Sequence, residues 1–263
     1  MLEIIVVALI IFALAVLMTM TGRGGGNFYV LTLVLAGLPM YEAATTGQFV
    51  LFASAGAAMV IFRKGKNLSV PLALILGFLT AGTAFVGGFV SHGFSGKELK
   101  FVFSILLVLA GSAMLFTAEE TSKTPTRKCG YWNVKAGNDT YVVNLWIAVP
   151  VTMATGFFSG MVGVSGGSFL VPLMVLVCGV PMRVAVGTAS AMVAATAFAG
   201  FLGHALHGSF NPAWAVPIAV MAIFGGILGG KIALRTKPKY LKTLFAATTL
   251  IAALLMIVNA LVK

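Results

Sequence analysis

The sequence predicts an all-α integral membrane protein of two inverted-topology repeats, each a broken or re-entrant helical hairpin followed by three transmembrane helices. Three observations carry this: apolar runs of spanning length along the whole chain, a residue pattern that occurs twice, and a reversal of loop charge between the two copies. Of the 263 residues, 60% are hydrophobic and 9% charged, with a mean hydropathy of +1.06, a composition that water would not solvate. Runs of about 20 residues cross a hydrocarbon core of roughly 30 Å as helices. The absence of period-2 alternation argues against a β-barrel.

The first run, residues 2–20, carries Glu3 where a signal peptide has cations, and no small-residue cleavage site follows it, so it reads as a retained span. The net charge of +11 sits in loops and termini, which points to positive-inside topology and away from nucleic acid. Cys129 in a polar loop and Cys178 in an apolar hairpin give no basis for a disulfide, a metal site or redox chemistry. No cofactor signature is visible.

The repeat has a period of 141 to 142 residues. Gly22, Gly25, Gly26, Phe28, Val30, Val34 and Leu35 match Gly163, Gly166, Gly167, Phe169, Val171, Val175 and Leu176. One inserted residue, Cys178, shifts the register, and then Gly37, Pro39, Met40, Ala43 and Thr46 match Gly179, Pro181, Met182, Ala185 and Thr188. The chain therefore divides into a first membrane repeat (residues 1–117), a polar connector (118–140) and a second repeat (141–263). Each repeat reads as a first helix, a Gly-rich break, an apolar piece of about a dozen residues ending at Gly-x-Pro, and three spans. The spans fall near residues 43–62, 69–91 and 99–117, and near 184–206, 213–230 and 241–262, with the second repeat's first helix near 141–160.

Corresponding loops differ in charge. Arg63, Lys64 and Lys66 are matched by an uncharged stretch at 204–211, whereas Lys231, Arg235, Lys237, Lys239 and Lys242 are matched by Lys97 and Lys100 beside Glu98. The bias swaps sides, so the repeats are read as inverted, as in secondary transporters. Inversion requires each repeat to cross a net odd number of times. The first helix and the short piece must then return to one side, and a dozen helical residues cover only about 18 Å, which favours a re-entrant hairpin.

Helix breaks in lipid persist where protein, water or ligand satisfies the freed backbone. The two breaks are Gly22-Arg23-Gly24-Gly25-Gly26-Asn27 and Gly163-Val164-Ser165-Gly166-Gly167-Ser168. Glycines allow close approach, and the helix that follows offers free N–H groups and a positive dipole end, which suits an anion. Asn27 and Ser168 are placed to cap that helix or to donate to an oxyanion. Small residues that merely let helices pack are the plain alternative, as is snorkelling for Arg23. A second polar patch in each repeat, Thr45-Thr46-Gly47-Gln48 and Gly187-Thr188-Ala189-Ser190, offers uncharged donors, against the alternative of bonding back to the same helix. His92, His204 and His207 fall at span ends, and Glu42 and Arg183 at the hairpin exits, all positions ordinary for interfacial groups. No Ser-His-Asp set or phosphate loop occurs.

Gly163-x-x-Gly166-Gly167-x-Phe169-x-x-Pro172, with Gly179-Val180-Pro181 and Ala185-x-Gly187-Thr188-Ala189, resembles the TauE/SafE sulfite exporter family. Gly24-Gly25-Gly26-Asn27-Phe28-Tyr29-Val30 and Glu42-Ala43-Ala44-Thr45-Thr46 are similar to its N-terminal signature. The resemblance implies a multi-pass protein of the prokaryotic plasma membrane that carries sulfite, sulfoacetate or another sulfonate. Leu31 departs from Pro172, and Ser165 from Gly24, so the half-sites need not be symmetric. On this reading the partners are a small anion and the bilayer; proton or sodium coupling, direction of transport and oligomeric state stay open. The competing class is a membrane enzyme or assembly factor acting on a thiol or lipid, for which Cys178 is the available nucleophile.

Overall fold

The computed structural model describes residues 2–90, 96–116, 130–136, 139–162, 167–205 and 210–262. Ten helices lie among them, and four are long and apolar enough to cross a membrane: Glu3–Thr21, Glu42–Lys64, Met182–Leu202 and Pro212–Arg235. Large apolar side chains such as Ile5, Leu9, Phe78, Trp146 and Leu254 point outward from the helices, the surface a protein presents to lipid. The chain is an all-α membrane protein; among the described residues one small sheet occurs, where the connector meets the second repeat. Tyr131–Ala136 (β1) and Asp139–Asn144 (β2) pair antiparallel, with Val134 opposite Tyr141. Aromatic and β-branched residues around the Gly137-Asn138 sequence favour such a hairpin, and the next helix starts at Leu145 rather than near 141. His92, His207 and Cys129, the second break at 163–166 and connector residues 118–129 lie outside the described residues.

Two compact units form, each discontinuous in sequence: Met1–Leu68 with Val186–Thr236, and Ser69–Ala185 with Lys237–Lys263. The first contains α1 (Leu2–Thr21), α2 (Gly26–Leu35), α3 (Met40–Lys64), α9 (Pro212–Arg235) and most of α8 (Met182–Ala205). Small residues set the helix directions within it. A β-carbon at Gly225 of α9 would meet Ala15 of α1, and one at Gly229 would meet Thr19; one at Gly226 would meet Ser54 of α3, and one at Gly230 would meet Ala58 and Ile61. Residue numbers rise together, so α1, α3 and α9 run parallel. Gly26 meets Leu51 and Gly47 meets Val30, so α2 runs back along α3. Its ten residues cover about 15 Å, half a hydrocarbon core, so α2 is a short return arm after α1. Helix α8 is antiparallel to α3: Gly187 faces Phe62, the rings of Phe52 and Phe198 are 5.1 Å apart, and so are those of Phe49 and Phe201. Gly65, after α3, stands against Leu234 near the end of α9. The cation-rich stretches beginning at Arg63 and Lys231 are therefore neighbours.

The second unit holds α4 (Val70–Val90), α5 (Gly96–Phe116), the hairpin, α6 (Leu145–Val162), α7 (Gly167–Pro172) and α10 (Pro238–Val262). Here α6 packs on α4, and α5 on α10. In the repeat α1 corresponds to α6 and α4 to α9, so the α1–α9 contact of one unit recurs as the α6–α4 contact of the other. The short return arms differ. Helix α2 is regular and closes with Gly37 N–H donating to Val34 O (3.0 Å) and Leu38 N–H to Leu33 O (3.1 Å), around Gly37 at φ 90°, a glycine C-terminal closure. In the second repeat Pro172 ends α7 and a π-helical stretch, Leu173–Val177, follows. Val180 N–H then reaches Met174 O at 2.9 Å, around Gly179 at φ 63°. The closing bond spans one residue more than its counterpart, so the inserted Cys178 is absorbed as a π-turn.

Candidate functional site

The first helix break is built where α1 stops. Gly22 N–H donates to Thr19 O (3.2 Å) and Arg23 N–H to Met18 O (3.3 Å), which satisfies two of the carbonyls that a helix end leaves open. Gly24 and Gly25 follow with φ of 82° and 64°, a conformation that L side chains rarely adopt. Gly25 is then the N-cap of α2, and its carbonyl accepts from Phe28 (3.0 Å) and Tyr29 (3.1 Å). The side-chain cap expected from Asn27 is not formed: Asn27 is the second helical residue and exposed, and the cap carries no side-chain hydrogen bond. A helix whose N-cap is Gly25 puts Asn27 two positions too late to reach forward as an N-cap does.

The break is dense. A β-carbon at Gly24 would collide with Val193 of α8 and stand 2.9 Å from Leu51 Cδ1, one at Gly25 2.6 Å from Met18 Cγ, and one at Gly26 2.9 Å from Leu51 Cδ2. Leu51 lies near the midpoint of α3, so the break is held well inside the length of its neighbours. Arg23 sits there at 6% exposure, a cation enclosed among apolar helices, a placement that is rare and costly in membrane proteins. Around it Thr19 donates to Ala15 O (2.6 Å) and Thr21 to Met18 O (3.0 Å), while the Tyr29 hydroxyl pairs with Ser54 Oγ at 3.5 Å. Tyr29 escaped the sequence reading because an aromatic in an apolar helix carries no signal of its own.

The second polar patches fall elsewhere. Thr45 and Thr46 are fully buried, and Thr46 Oγ1 has no hydrogen-bond partner among the described residues. The amide of half-buried Gln48 lies against Gly200 of α8. Thr188 is fully buried, Ser190 donates to Val186 O (2.9 Å) within its own helix, and Gly187 packs on Phe62 and the Asn67 carbonyl. Because α8 is antiparallel to α3, Thr188 stands beside Phe62 while Thr46 stands 16 residues earlier on α3, about 24 Å away along the axis. The structure does not bring Thr46 and Thr188 to one point. Of the second break, Ser165 and Gly166 lie outside the described residues; Gly167 and Ser168 are buried at the start of α7.

Cys178 is a free, buried thiol. It lines a cavity of about 300 Å³ with Tyr131, Tyr141, Asn144 and Ile147 beneath the β-hairpin. No cluster able to hold a metal occurs among the described residues.

The sequence matches the family described as "Sulfite exporter TauE/SafE" over residues 7–256. It is 24% identical to the "Probable membrane transporter protein YunE" of Bacillus subtilis, over 81% of this chain and 82% of that one. It is 23% identical to YdhB of the same organism, over 95% and 99%, and 23% identical to MJ0441 of Methanocaldococcus jannaschii, over 94% and 92%, each also named a probable membrane transporter. No solved structure matches the chain. With the family matched over nearly the whole length, helices of spanning length, and relatives named as transporters rather than enzymes, the chain belongs to the sulfite exporter TauE/SafE family and is a multi-pass membrane transporter.

Proposed function

We propose that this transporter carries a small sulfur-containing anion, such as sulfite, sulfoacetate or another sulfonate, by alternating access of two inverted repeats around the helix breaks. The observation that carries the reading is Arg23, a buried cation at mid-depth, next to the glycine-capped start of α2. A guanidinium and the positive end of a helix both favour an oxyanion. The sulfur class comes from the family description. Inversion is supported by α3 and α8, which correspond in the repeat and run antiparallel. The tight packing at Gly24, Gly25 and Gly26 fits an arrangement in which the glycines let the break close against α3 and α8, and the anion is held by Arg23 and the N–H groups opening α2. Driving by a proton or sodium gradient is compatible with this scheme.

The test is thermal stabilisation of purified protein by sulfite, sulfate, thiosulfate, sulfoacetate and taurine at millimolar concentration. A ligand that binds only the folded state raises the melting point. The expected result is a shift with at least one sulfur anion that Arg23→Gln removes. Absence of any shift across the panel would overturn the substrate class.

A further inference from the structure

The seam between α3 and α8 has unlike ends. Toward the Met40 end, the rings of Phe49, Phe201 and Phe210 touch pairwise, with centroids 5.1 Å, 5.4 Å and 5.1 Å apart. Phe52 and Phe198 add a pair at 5.1 Å one turn further in. These rings come from three different segments: α3, α8 and the residues just before α9. On α8 Phe198 and Phe201 lie to the Met40 side of Val193, which meets Gly24, and on α3 Phe49 and Phe52 flank Leu51, so the rings run from the level of the helix break toward the end of the unit opposite Arg63 and Lys64.

Because α3 and α8 correspond in the repeat and run antiparallel, the seam maps onto itself, and each contact has a counterpart at the other end. Phe49 and Phe201 correspond to Ala191 and Met59, Phe52 and Phe198 to Ala194 and Gly56, and Phe210 to Leu68. Five rings meet at one end, whereas none of the five corresponding positions at the other is aromatic, the ring there being Phe62 against Gly187. Packing alone gives no reason for the repeat to be broken here and kept at the glycines. Interlocked rings exclude water and ions by dewetting, and the edge-to-face contacts of Phe210 with Phe49 and Phe201 hold the three rings in place.

We infer that Phe49, Phe201 and Phe210 form the transporter's apolar gate at the Met40 end of the α3–α8 seam, closed in this structure. Gln48, next to Phe49, places its amide against Gly200 and offers a polar group beside the rings. The inference uses the transporter activity of the family and is independent of which anion is carried.

Ser190 offers the reporter: it is buried, it lies on α8 beyond Phe198 and Val193 as seen from the rings, and cysteine nearly matches serine in size. In a Cys129→Ser, Cys178→Ala background, Ser190→Cys is reacted with a membrane-impermeant anionic methanethiosulfonate, in intact cells and in inverted vesicles. Labelling from the Met40 side should be slow in the parent and rise about tenfold or more in Phe49→Ala and Phe201→Ala, since each removes two of the three ring contacts. Phe201→Leu, which keeps most of the bulk, should stay within about twofold of the parent, and so should Leu202→Ala beside it. Melting temperature separates a lost gate from a lost fold. If the parent labels as fast from the Met40 side as the alanine variants do, or neither alanine variant labels faster, the rings are packing only and the inference falls.

Discussion

Gly225 lies against Ala15: a β-carbon on the glycine would stand 2.7 Å from the alanine's own. One period away in each half, Gly156 lies against Thr83 and the carbonyl of Thr80. The register that aligns the glycine-rich breaks thus also pairs two close helix crossings, with the glycine on α9 in one unit and on α6 in the other. Such contacts let backbones approach where lipid supplies no hydrophobic drive between helices.

Leucine at Gly225 or Gly156 should therefore destabilise the protein by about 1 to 3 kcal/mol, the usual cost of overpacking a filled contact. Gly82, whose β-carbon would meet open space, should accept alanine with little change. Melting curves in one detergent compare the three, and equal melting for all would show that the crossings are not close-packed.

If the repeats are inverted as the charge swap predicts, Lys64 and Lys237 face the cytoplasm. Single cysteines at Ser91 and Ser209 should then label from outside in intact cells, and cysteines at Lys64 and Lys237 only after the membrane is opened. Labelling of Lys64→Cys and Ser209→Cys from one side would refute inversion.

Thr46 carries a buried hydroxyl with no partner among the described residues, a burden of roughly 1 to 3 kcal/mol in the ligand-free protein. Thr46→Val keeps the shape and drops the hydroxyl, so it should raise the melting temperature without ligand. If the hydroxyl donates to the anion, affinity should fall by roughly tenfold or more. Affinity within about twofold of the parent would remove Thr46 from the site.

Deleting Leu176 should convert the π-turn into an ordinary α-helical end like that of α2, leaving Gly179, Val180 and Pro181 in place. Deleting Val34 from α2, which has no spare residue, should rotate the chain beyond it by about 100° and strand Leu38 away from the core. The expected outcome is a folded, membrane-inserted ΔLeu176 protein and a ΔVal34 protein that fails to accumulate. Equal behaviour of the two would show that the π-turn stores no removable residue.

The sequence by itself determined the membrane class and the break at Gly22–Asn27, because each is written in signals that act locally or by composition: apolar length and glycine runs. The insertion at Cys178 was also legible, but not its form, since a π-turn depends on how the helix end is held, here after Pro172 and before Gly179. The β-hairpin at Tyr131–Asn144 hid behind the polarity of the connector. Which elements meet was decided only by the tertiary structure. Helix α1 packs on α9, over 200 residues away, while α6 packs on α4, and no pattern along the chain encodes such an exchange. For the same reason Thr46 and Thr188, equivalent in the repeat, stand about 24 Å apart along an antiparallel pair, and five phenylalanines that look like ordinary apolar filling in sequence meet at one end of a single seam.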